Sequence, residues 1–122
     1  MLLGQHRGRI WYCRRARSSS GERTNVHFDG AWVLGREEKH RDVVGFLHSH
    51  PEGPATPSRR DVRTMRAWCS AFGKPLLCLI AGLGRIHGYC FEDDESDGKP
   101  LSLIEMFALR GGVVIGVDAD GG

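Results

Sequence analysis

Apolar and polar positions recur along this chain with two different periods, and the changes between them mark out strands and one clear helix. Residues 9–15 (RIWYCRR) are rich in aromatic and β-branched side chains and predict a strand. Residues 43–48 (VVGFLH) are apolar at both parities, the pattern of a central strand covered on both faces. Residues 75–81 (PLLCLIA) predict a second buried strand, Gly82 and Gly84 a turn, and residues 86–91 an antiparallel return. Between them, Val62, Met65, Cys69 and Phe72 recur at spacings of 3, 4 and 3, which is one face of a helix. Ser58 is its expected N-cap and Gly73 its stop. Pro51, Pro54 and Pro57 deny a hydrogen-bonded ladder and predict an extended loop before that helix.

The remaining segments carry weaker signals. Residues 25–28 suit a short strand and residues 18–21 (SSSG) a loop. Residues 35–41 (GREEKHR) read as a polar connector, with Glu37 and Glu38 facing solvent. Residues 92–99 read as a solvated loop. Residues 101–109 and 113–117 are apolar but fit helix or strand equally, and residues 118–122 are expected to fray. The sum is an α/β sandwich, a central mixed β-sheet flanked by helices, in a single domain over residues 1–117 with a flexible tail at 118–122.

Composition narrows this picture only a little. A chain of 122 residues with 40% hydrophobic content buries a core without disulfides. Residues 1–41 hold nine Lys/Arg against four Asp/Glu, whereas residues 92–122 hold two against eight. Both ends read first as solvated surfaces. Arg7, Arg9, Arg14, Arg15 and Arg17 interleave with Trp11 and Tyr12, a weak trace of a nucleic-acid face that ranks nucleic acid last among partners. Cys13, Cys69, Cys78 and Cys90 show no CxxC spacing, so a cysteine zinc knuckle is excluded and reduced thiols in a cytoplasmic setting are expected. The start carries no signal-peptide pattern, and the longest apolar run is about half of what a bilayer span needs.

The chemistry is concentrated in His48-Ser49-His50-Pro51 and Ser58-Arg59-Arg60-Asp61. In a strand, residues i and i+2 share a face about 7 Å apart, so two imidazoles can reach one ion. Pro51 stops the strand directly after the second imidazole and leaves the pair at the mouth of the sheet. Ser58-x-x-Asp61 by itself reads as a helix-capping box. Joined to the histidines, Asp61 on the first turn of the helix can supply an oxygen to the same ion. Three protein ligands with one open position is the catalytic zinc arrangement. Ser58 can cap the helix and still present its hydroxyl beside the open position.

This pattern, H-S-H-P, six residues, S-x-x-D, resembles the JAMM motif of the MPN (JAB) metallo-isopeptidases. The neighbouring VVGFLHSH, Gly53-Pro54-Ala55, LLCLIAG and IHGYCF are similar to short prokaryotic members, so that the likeness runs over about residues 1–93. The resemblance implies a hydrolase with one Zn²⁺ per chain, held by His48, His50 and Asp61, with Ser58 stabilising the oxyanion. It implies cleavage of isopeptide or peptide bonds at the C-terminal glycines of ubiquitin-like or sulfur-carrier proteins, whose tails are the expected partner. A homo-oligomer is compatible with it, and a membrane is not expected.

The family also uses a glutamate as general base, just ahead of a strand that reads like GGLLLG. Residues 1–4 (MLLG) resemble the end of that strand, which places the glutamate ahead of Met1 and predicts an N-terminally shortened domain. Glu22, Glu37, Glu38 and Glu52 are the candidates inside the chain, and none has the family's position. The alternative reading is a zinc-binding MPN domain that is catalytically impaired and acts as a protein-interaction module. The terminal Gly121-Gly122 invites comparison with a ubiquitin-like tail, although a glycine-rich chain ends this way readily by chance.

Overall fold

Among the described residues, seven strands and two helices follow in the order β1 (Leu2–Arg7), β2 (Ile10–Arg15), α1 (Gly30–His40), β3 (Val43–Ser49), α2 (Arg59–Phe72), β4 (Leu76–Gly82), β5 (Arg85–Phe91), β6 (Lys99–Phe107) and β7 (Val113–Asp118). The computed structural model describes residues 1–8, 10–15, 30–50, 53–82, 85–107 and 113–118. The α/β class and the mixed sheet are as the sequence predicts. All strand pairs are antiparallel except β3 with β4. The sheet also closes on itself, in the order β1-β2-β7-β6-β5-β4-β3, because β1 pairs with β3 as well as with β2.

Alternating side chains divide the core in two. Leu2, Trp11, Cys13, Val44, Leu77, Leu79 and Cys90 form a cluster made of strand residues only, which fills the barrel. Leu3, Val43, Phe46, Leu76, Cys78, Ile80, Tyr89 and Phe91 form the other, on the outer side, where Val33 of α1 and Met65 and Cys69 of α2 cover them. At ~25 cal/mol per Å² of apolar surface removed from water, these two clusters supply the main drive to fold.

Strict alternation fails once in β3, and the failure matters. Leu2 lies opposite Gly45 but Leu3 opposite Val43, so the register skips Val44. This is a bulge, and it resets which parity faces the helices. Val43 and Phe46 both face the helices, and Val44 and Leu47 both face the barrel interior. His48 therefore falls on the side that α2 covers. Gly45 is required beside the bulge, because a Cβ there would overlap the Leu77 carbonyl oxygen.

The helix α2 follows its sequence signals closely. Ser58 caps it with extended backbone (φ −75°, ψ 169°), and Gly73 ends it in the left-handed conformation at φ 65°, its N–H donating to the Cys69 carbonyl. Four expectations need correction. Residues 35–41 are no connector: through His40 they form the second half of α1, in which Val33 is the one buried residue and Trp32 and Leu34 stay exposed, so the helical period was too faint to read. Glu37 is not solvent-facing. It is 14% exposed, holds Lys74 at 2.7 Å and accepts from the Val43 N–H at 3.2 Å. Residues 1–4 begin a strand that runs on to Arg7, and Asp118 ends β7 and so belongs to the sheet, not to a tail. Residues 101–109 and 113–117, open between helix and strand in the sequence, fall on β6 and β7 as far as residue 107 and over 113–117, and the two strands pair with each other; β6 already starts at Lys99, inside the expected 92–99 loop, and residues 108 and 109 lie outside the described residues. The expected strand at 25–28, the loop at 18–21, Gly84 and residues 119–122 lie outside the described residues.

Candidate metal centre

β3 and β4 run parallel, and residues at the same level share a face. His48 lies beside Ile80, whose side chain faces α2, and Ile80 lies beside His87 on β5. The strand ends at Ser49. The His50 N–H still donates to the Ala81 carbonyl at 2.8 Å, which anchors the second histidine just past the strand end. The loop after it returns over β4 and β5. There the Tyr89 hydroxyl donates to the Ala55 carbonyl at 2.8 Å, and Gly82 leaves room for the His50 and Gly53 carbonyls above it. That loop delivers Ser58 and the first turn of α2 to the histidines.

Asp61 is the centre of the arrangement. It is 7% exposed, the one buried charged residue among the described core. Its Oδ1 lies 3.3 Å from Nδ1 of His48, and its Oδ2 lies 2.9 Å from Nε2 of His50. Oδ2 also accepts from the Ser58 N–H at 2.9 Å, while the Asp61 N–H donates to Ser58 Oγ at 3.1 Å. This is the reciprocal capping box that the sequence suggested, and the same carboxylate meets both imidazoles. His50 Nδ1 lies 3.2 Å from the Pro54 carbonyl. With the proton on Nδ1, that bond leaves the Nε2 lone pair for a metal held jointly with Asp61, the way an outer carbonyl orients a metal-binding histidine.

Burial, opposed by the Asp61 charge and helped by His50 and the chain's amino terminus, holds His48 below the ordinary imidazole range. His48 is thus neutral at pH 7, the form that ligates a metal.

Two nitrogens and a carboxylate oxygen form a donor set that suits zinc. Atoms sharing a tetrahedral zinc at about 2.1 Å stand about 3.4 Å from one another, and the two nitrogen–oxygen separations, 3.3 and 2.9 Å, both lie below that spacing. Among the described residues, however, no three His, Cys, Asp or Glu side chains are grouped so as to hold a metal as they stand. Asp61 gives one oxygen to each histidine instead of presenting one point to both. The donors fit in kind and in proximity, and convergence on one ion requires the carboxylate or a ring to turn.

Of the glutamates considered as bases, Glu37 is tied to Lys74 and the Val43 N–H at the other end of β3, and Glu38 is exposed on α1. Glu22 and Glu52 lie outside the described residues. Sequence reasoning missed Tyr89, whose bond to Ala55 joins residues 34 apart and leaves no local signal. No helix among the described residues is long and apolar enough to cross a membrane.

Neither the curated proteins nor the solved structures give a match to this chain. The family model describing prokaryotic homologs of the JAB domain matches residues 2–93, the span that holds β1 to β5, both helices and all four residues of the centre. The chain therefore belongs to the JAB (MPN) family, among its prokaryotic homologs.

Proposed function

We propose that this protein is a zinc-dependent hydrolase of JAMM type, cleaving isopeptide or peptide bonds at the C-terminal glycines of ubiquitin-like or sulfur-carrier proteins. The observation that carries the reading is the meeting of His48, His50 and the Ser58 N–H on the carboxylate of Asp61, within a chain of this family. When bound, zinc supplies a water acidified toward pKa 7 and polarises a carbonyl. The chain's own part is to hold and aim. β3 and α2 set the ligands, the Pro54 carbonyl fixes the ring of His50, and the Tyr89–Ala55 bond holds the intervening loop. Ser58 Oγ spends its lone pair on the Asp61 N–H, so its own O–H remains to donate to charge developing on a scissile carbonyl oxygen.

The general base is the part no described residue supplies. We propose a glutamate ahead of Met1, where the family resemblance puts it. Two facts support that placement. β1 runs antiparallel to β3 with Leu2 opposite Gly45, so chain extended upstream heads toward the His48 end. The Met1 nitrogen also lies near enough to His48 for a charge placed on it to be felt there.

The test compares residues 1–122 with a form extended upstream, both loaded with zinc to equal occupancy, on a ubiquitin-like fusion cleaved after Gly-Gly. General acid–base help is worth about 10²–10⁴ in rate, and the extended form is expected to be faster by that factor. Full activity of the 122-residue chain would contradict the upstream base. Inactivity of both forms would favour the second reading, a zinc-binding module that recognises such tails without cutting them.

A further inference from the structure

A second concave feature lies at the opposite end of β3, about 15 Å along the strand from the histidines. Here a cavity of about 380 Å³ opens between the β1–β2 hairpin and the C-terminal ends of the two helices, lined among others by His6, Arg7, Trp11, Arg41 and Lys74. Among the described residues no aspartate or glutamate lines it. His6 lies flat on Trp11, with ring centres 3.6 Å apart and planes 8° from parallel. Trp11 is wholly buried and His6 only partly, so the stack turns the imidazole face of His6 to the cavity as its floor.

The cations around the floor have different origins. Lys74 is explained by structure: its Nζ donates to the Glu37 carboxylate and, at 3.3 Å, to the Arg41 carbonyl at the end of α1. Helix C-termini favour such a cation. Arg7 comes from the strand hairpin and caps no helix. Arg41 closes α1 with its N–H on the Glu37 carbonyl at 2.8 Å, but does so at φ 53°, the left-handed conformation that glycine adopts freely and an arginine does not. The cap requires only backbone. The side chain placed there at a cost in strain is therefore what needs a reason, and strained residues of this kind collect at ligand sites. Neither guanidinium has a carboxylate partner among the described residues.

We propose that this cavity binds a phosphate monoester that also carries a planar ring, the chemistry of a nucleoside monophosphate. Two guanidinium forks match phosphate oxygens. The flat His6–Trp11 floor suits a ring, and the volume lies in the range of small-ligand pockets. The site is separate from the metal centre and does not rest on the hydrolase reading.

The test titrates adenosine monophosphate, inorganic phosphate and adenosine into the full chain at low salt, read by tryptophan fluorescence and calorimetry. Saturable binding of the monophosphate is expected, at least about tenfold tighter than either half alone, and weakening with salt. Loss of a charged hydrogen bond is worth about tenfold or more, so Arg7→Ala and Arg41→Gly should each weaken binding by that much. Arg63→Ala, which removes an exposed guanidinium on α2, should leave it unchanged. Arg41→Gly also relieves the strained cap and is expected to raise Tm, so weaker binding in that variant is not unfolding. The proposal is overturned by no saturable binding at millimolar monophosphate, or by binding that survives Arg7→Ala and Arg41→Gly combined. Phosphate binding as tightly as the nucleotide would overturn the ring-bearing ligand.

Discussion

The carboxylate of Asp61 closes the first turn of α2 and faces two imidazoles, and substitution separates these roles. Asp61→Asn keeps one oxygen for the Ser58 N–H, so thermal unfolding should change little while zinc affinity falls sharply. Asp61→Ala loses both, at a further cost of about 1 kcal/mol for the cap. Equal zinc affinity in wild type and Asp61→Asn would contradict the ligand role. Ser58 is separable in the same way. Ser58→Ala should cost about 1 kcal/mol in stability but lower kcat by about 10²–10³ in the extended, zinc-loaded form. An unchanged kcat would leave the serine as a cap alone.

His48 gives a dependence on pH. Burial holds its folded pKa below 6.5, so the unfolded chain takes up the proton more readily than the folded one. The stability associated with this residue is complete above about pH 6.5 and is lost as pH falls through that value toward the folded one. The urea midpoint of the metal-free chain should therefore drop between pH 7 and pH 5, and His48→Gln should reduce the drop. A midpoint rising on acidification would contradict the buried, neutral imidazole. The four site residues were legible in the sequence because the strand period of two and the helix cap fix their geometry within short spacings. The sharing of Asp61 between the rings was not, because it depends on side-chain rotation.

Among the elements, α2 was readable from its capping residues and its 3–4–3 stripe, whereas α1 was not. α1 buries one residue, Val33, and is held by polar ties instead: Arg36 grips Asp42 through two bonds of 2.9 and 2.6 Å, and Glu37 grips Lys74. Polar ties between elements leave no periodic trace. They also assign Glu37 a structural role, which is testable. Glu37→Gln should lower Tm, since a largely buried ion pair loses one charge, and should leave hydrolysis at equal zinc occupancy unaffected. A loss of turnover without a loss of stability would instead make Glu37 a participant in the chemistry. The bulge at Val44 was equally hidden. The apolar run 43–47 looks the same with or without it, yet only with it does His48 face α2.

At the scale of the whole molecule, class and mixed sheet followed from buried strands separated by a helix, but closure of the sheet did not. Closure comes from β1 reaching β3 across most of the first half of the chain, a long-range pairing that local pattern does not encode. The candidate metal centre stands on the closed sheet: two candidate ligands leave the end of one of its strands and the third leaves the helix packed on its outer side. Hydrolase chemistry at this centre requires that those three side chains share one ion. The most direct measurement is elemental analysis of the chain purified without chelators, together with X-ray absorption at the zinc edge. Close to one zinc per chain is expected, with two imidazole nitrogens and carboxylate oxygen as its protein ligands at about 2.0–2.2 Å, and none in His48→Ala or His50→Ala chains that still fold. A folded wild-type chain without zinc, or one holding zinc equally well when both histidines are gone, would contradict it.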